Sequence, residues 1–143
     1  MAVSGVPMHG ESYVQPVQRA GFWIRFAAAL VDGIVLGIIS SVLANVLHAT
    51  TSRYLSTLVG LVYVVGFIGS AKGQTPGFMA LRLRVVSLSD GGPIGFGRAA
   101  IRWVVGLVSA AAILIGYFWM LWDPQKQTWH DKAAGSIVIR TPR

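Results

Sequence analysis

The first residue in this sequence whose setting could do chemistry is Asp32, a carboxylate inside the apolar run Phe26–Leu47 that is otherwise interrupted only by two serines and Asn45. An ionisable group at mid-helix in hydrocarbon costs roughly 2.5–3.5 kcal/mol on insertion scales, so something must compensate it. Two readings follow. Asp32 either carries a cation or proton, changing protonation as access alternates, or serves as a polar lock that orients its helix against neighbours. Arg25 stands seven residues earlier on the same helical face, about 10 Å away along the axis. An Arg25–Asp32 pair therefore requires both side chains to lean together, or a bridging water.

The pair His130-Asp131 could be a base with its orienting acid, but nothing nucleophilic stands near it in sequence. An interfacial hydrogen-bonding lock is the expectation. The chain has no cysteine, which removes thiolate metal sites, cysteine nucleophiles and disulfides. No second histidine or acidic cluster supplies ligands, so neither metal nor cofactor is expected. Lys72-Gly-Gln-Thr-Pro-Gly77 lacks the glycine spacing and terminal Gly-Lys-[Ser/Thr] of a phosphate-binding loop. It reads as a tight turn at the membrane surface. Ala29, Gly33, Gly37 and Ser41 recur every four residues, a small-residue stripe that would let another backbone approach. Its expected partner is the second helix, through Ser56 and Gly60, or another subunit.

Composition says what positions these residues. The 143 residues are 54% hydrophobic and only 12% charged, with a mean hydropathy of +0.62. An average soluble domain carries roughly 25% charged residues, so lipid must act as solvent. Three apolar stretches, 26–47, 54–71 and 103–122, approach the roughly 20 residues that cross a bilayer. The last has Trp103, Trp119 and Trp122 near its ends, as a headgroup-level belt requires. The expected fold class is an all-α integral membrane protein with three embedded segments and a basic, partly strand-like loop. Residues 1–18 are expected to be a flexible polar tail, 19–140 the membrane domain, and 141–143 the C-terminal end.

In that loop, Leu81-Arg82-Leu83-Arg84-Val85 alternates apolar and basic residues, the period of a strand. Ser136–Ile139 is β-branched and could pair with it. Arg98 and Arg102, four apart, share one helical face. Of 12 Lys and Arg, two precede the first span, one lies in 48–53, five in 72–102 and four after 122. The positive-inside rule then puts the N-terminus and the 72–102 loop in the cytoplasm of a multi-pass inner-membrane protein. Three full crossings would export the basic C-terminal tail against that rule. A break at Gly116 would instead make the third segment re-entrant and return the tail inside, on legs reaching only about 15 Å each. The charge of +7 belongs to this topology, and nucleic acid is not an expected partner.

Together these residues resemble the RDD family of bacterial and archaeal membrane proteins, named for one arginine and two aspartates. The arginine corresponds to Arg25, the first aspartate to Asp32 and the second to Asp131 within His130-Asp131. The family's Gly-x-Thr-x-Gly-Lys and following Arg-Val-Val match Gly73, Thr75, Gly77 and then Arg84-Val85-Val86. Its His-Asp-Lys-x-Ala-Gly-Thr-x-Val ending matches His130 to Val138. Phe78 stands in place of the usual lysine and Ser136 in place of threonine. The resemblance implies the architecture and, for some members, transport such as cation/proton exchange. Two functions follow as expectations: an oligomeric, transport-related protein, or a noncatalytic accessory or assembly subunit of a larger membrane complex. No set of residues suggests an enzyme.

Overall fold

The structure is a computed structural model and describes residues 17–112 and 115–142. Most of the expected tail, residues 1–16, lies outside the described residues. Gln18 does not behave as tail: its carbonyl accepts from Arg140 N at 2.8 Å, next to Arg19, which bridges to Ile139.

Two long helices form the apolar part. Helix α1 runs Phe22–Val46 and α2 runs Ala49–Gly69. At 1.5 Å per residue these reach about 37 and 31 Å, enough for a hydrocarbon core of about 30 Å. Both are apolar enough to cross a membrane. The loop expected at 48–53 shrinks to Leu47 and His48. Ala49–Arg53 joins α2 because its hydroxyls are absorbed locally, with Ser52 Oγ donating to the Ala49 carbonyl at 2.9 Å.

The inner-loop region opens with α3, Pro76–Ala80, capped by Thr75 and started by Pro76. Proline suits the first helical turn because its missing N–H is unneeded there. Strand β1 (Leu83–Ser87) and strand β2 (Ser136–Arg140) then pair antiparallel, Val85 opposite Val138. The alternation expected from residue 81 begins only at Leu83, because Arg82 takes a left-handed φ of 56° where the chain leaves α3. Leu83, Val85 and Val138 pack with Ala20, Ala28, Ile68 and Ala99 as the core. The fold is thus mostly helical with a two-stranded sheet, rather than all-helical. Residues 18–20 and both strands share one end of the described fold.

The third apolar stretch departs most from expectation. Helix α4 begins at Gly95, eight residues before the predicted 103, and ends at Ala111. Helix α5 (Ile115–Phe118) and a single 3₁₀ turn (Trp119–Leu121) follow at a bend of 112°. The break precedes Gly116 instead of falling on it. Gly116 is needed for close packing: a Cβ there would stand 2.6 Å from Ser109 Oγ and against the Trp129 ring. Helix α6, Trp129–Ala133, then leads back to β2.

Candidate functional site: two fastened carboxylates beside one cavity

Asp32 projects from α1 into a ring of donors supplied by two other elements. Tyr63 Oη of α2 donates to Oδ1 at 2.8 Å, and Thr75 Oγ1 donates to Oδ2 at 2.5 Å. The Gly77 backbone N–H donates to Oδ1 at 2.8 Å. Glycine is required at 77, since a Cβ would collide with the Ala28 carbonyl and lie 2.8 Å from the Asp32 carboxyl carbon. Thr75 serves twice, its oxygen also accepting the Phe78 N–H as the N-cap of α3. The carboxylate thereby ties α1 to α2 and to the 73–77 turn. Arg25, two turns earlier on the same helix, does not pair with Asp32. The charge on Asp32 is met by hydrogen-bond donors close to it, and Arg25 has a nearer partner.

That partner is Asp131. Arg25 Nη1 lies 2.7 Å from Asp131 Oδ2, with side chains 2% and 0% exposed. Arg102 Nη1 meets the other oxygen and also donates to Ser136 Oγ at 2.7 Å. Asp131 further closes a capping box on α6: its Oδ2 accepts the Thr128 N–H at 3.0 Å, and Thr128 Oγ1 accepts the Asp131 N–H at 3.3 Å. Burial alone would raise the Asp131 carboxyl, but Arg25 and Arg102 outweigh it and hold it below the ordinary carboxylate range. One carboxylate therefore joins the start of α1, the middle of α4, α6 and β2. The expected interfacial lock at His130-Asp131 is a fully buried ion triad.

Burial lowers His130 to about 3, against the pull of Asp131, so it stays neutral at ordinary pH. Among the described residues its buried Nδ1 has no hydrogen-bond partner, nor do Arg25 Nε and Tyr117 Oη. Arg25, Asp32, Arg102, Tyr117 and His130 all line one cavity of about 350 Å³ between α1, α2 and α4. Ala29 and Gly33 of the small-residue stripe form part of its wall. The stripe is not packed on α2. Ala29, Gly33, Gly37 and Ser41 are exposed, and a Cβ at either glycine would meet nothing within 4 Å.

The inner-loop motif divides between two places. Thr75 and Gly77 reach Asp32, whereas Gly73 and Arg84 serve the turn beside β1. Gly73 has φ +59°, and a Cβ would strike the Val85 carbonyl. Arg84 donates to the Ala71 carbonyl at 2.8 Å. Phe78, in place of the family's lysine, packs against the core. Sequence reading missed Tyr63, Thr128 and the pairing role of Arg102. Thr128-x-x-Asp131 before a helix is a capping-box pattern and could have been found. Tyr63 carried no local signal.

The RDD family profile aligns with residues 19–135. This chain belongs to the RDD family. Among relatives of this RDD protein, the uncharacterized membrane protein YteJ of Bacillus subtilis is 32% identical over 133 residues, 84% of this chain and 80% of YteJ. A proline-rich antigen homolog of Mycobacterium tuberculosis is 31% identical over 90 residues, 61% of this chain and 38% of that protein. The proline-rich antigen of Mycobacterium leprae is 33% identical over 79 residues, 55% of this chain and 32% of its own length. The RDD chain thus matches about a third of the length of the mycobacterial proteins. No solved structure matches it. Among the described residues no group of three or more His, Cys, Asp or Glu converges.

Proposed function

We propose that this RDD protein is a noncatalytic membrane module that acts as an accessory or assembly subunit of a larger membrane complex. The observation that supports this most is the state of its two hydrogen-bonded carboxylates. Asp32 accepts from three fixed donors and Asp131 is held by two arginines and a helix cap. A carboxylate so engaged is a fastener, because releasing it for ion exchange would strand each donor. The exposed small-residue stripe on α1 is the surface such a complex would use. A second reading, oligomeric cation or proton transport, draws on the cavity that Asp32 lines.

Purification in mild detergent separates the two when joined to a flux assay. Co-purification of one copy with a larger complex, and no pH-gradient dissipation by the isolated protein in vesicles, is the expected result. A homo-oligomer whose flux disappears in a stable Asp32→Asn variant would sink the accessory role. In the same proposal, the end bearing the sheet faces the cytoplasm of the plasma membrane, and α4–α5 enters and leaves on that side. In intact cells, Thr141→Cys should then resist an impermeant thiol reagent while Thr51→Cys labels. Labelling of both would show three full crossings.

A further inference from the structure

A second hollow lies on the opposite side of α2. It holds about 750 Å³ and is walled by Leu58, Val62, Gly66, Phe67 and Met79, ending at Ser70 and Lys72. From Leu58 to Ser70 the groove runs about 18 Å at 1.5 Å per residue. That is close to the depth of one leaflet, half of a hydrocarbon core of about 30 Å. Its walls are apolar along this whole length, and its charge is confined to one end.

At that end Lys72 is exposed and has no hydrogen-bond or ion-pair partner among the described residues. Arg84 stands beside it, donating to the Ala71 carbonyl at 2.8 Å. Tyr63, which lines the groove, turns its hydroxyl away to donate to Asp32 at 2.8 Å. Among the described residues Lys72 is therefore the one charged residue of the lining, and no carboxylate is part of it. Gly66 keeps the middle of the groove open, since a Cβ there meets nothing within 4 Å. Tyr63 and Phe67, edge to face at 5.1 Å, give it a rigid side.

We infer that this groove binds one anionic phospholipid of the leaflet on the sheet side, an acyl chain along α2 and the headgroup phosphate at Lys72. A second copy of the chain is the competing occupant, but a helix face would bring no anion to Lys72. The inference rests on α2 crossing the bilayer and is independent of the accessory or transport reading.

Native mass spectrometry of the detergent-purified full chain tests it, with phosphatidylglycerol and phosphatidylcholine as probes. The wild type should retain one phosphatidylglycerol with about fivefold preference, the factor one basic residue at an anionic surface supplies. Lys72→Gln should bring the two lipids near parity, and Lys72→Arg should restore the preference. Gly66→Leu should lose both lipids while keeping the wild-type oligomeric state and melting temperature. Preference unchanged in Lys72→Gln would overturn the proposal. So would a Gly66→Leu variant that changes oligomeric state and binds lipid as before, which would assign the groove to a second copy.

Discussion

Asp131→Asn should lower stability by about 3–5 kcal/mol, the usual consequence of removing one partner from a buried ion pair. The guanidinia of Arg25 and Arg102, with side chains 2% and 6% exposed, would be left without their counter-charge. Net stabilities of proteins are typically about 5–15 kcal/mol, so this is a large fraction. The variant should give low yield and a melting temperature depressed well beyond that of a surface substitution. Adding Arg102→Gln should recover part of the loss by removing one stranded cation. A melting temperature within a few degrees of wild type would mean that the triad does not hold the helices to the sheet.

The same cluster sets the acid limit. His130 titrates at about 3 in the folded protein, below its ordinary 6.5. Its contribution to stability is therefore complete above about 6.5 and declines as pH falls toward about 3. Asp131 is also lowered, so its contribution is complete above the ordinary carboxylate pKa of about 3.9 and is lost at still lower pH. Melting temperature measured from pH 7 to 4 should fall, and His130→Gln should flatten that fall.

The second large effect is at Asp32. Asp32→Ala strands the Tyr63 hydroxyl, the Thr75 hydroxyl and the Gly77 N–H together. Hydrogen bonds to charged groups contribute about 1.5–3 kcal/mol each, and partners in one network do not add. A loss of about 3 kcal/mol is expected. A double-mutant cycle of Asp32→Ala with Thr75→Val should show coupling above about 1 kcal/mol. The cycle of Asp32→Ala with Arg25→Gln should show almost none, because these side chains belong to different fasteners. Strong Arg25 coupling and weak Thr75 coupling would restore the pairing suggested by helical periodicity. Gly77→Ala should mimic the Asp32 loss, since its methyl would enter the space of the carboxylate and the Ala28 carbonyl.

What this sequence determined by itself is the part governed by local free energies. Transfer of apolar side chains to lipid acts residue by residue, so the stretches around 26–47 and 54–71 were legible as helices. The insertion cost of a carboxylate is local too, which is why Asp32 declared that it must be compensated. The alternation at Leu83-Arg84-Val85 and the β-branched run at Ile137–Ile139 were likewise readable.

The choice of partners was decided by tertiary structure alone. Helical periodicity could offer Asp32 only Arg25, its neighbour on one helix, because periodicity knows nothing of other elements. The fold carries α6 and β2 back to the start of α1, where Asp131 of α6 meets Arg25, and it lays the 73–77 turn on Asp32. It also bends the third apolar stretch, where Trp129 packs against Gly116. Each of these contacts joins residues far apart in the chain. Their geometry depends on how whole helices pack, and no spacing within a single segment encodes it.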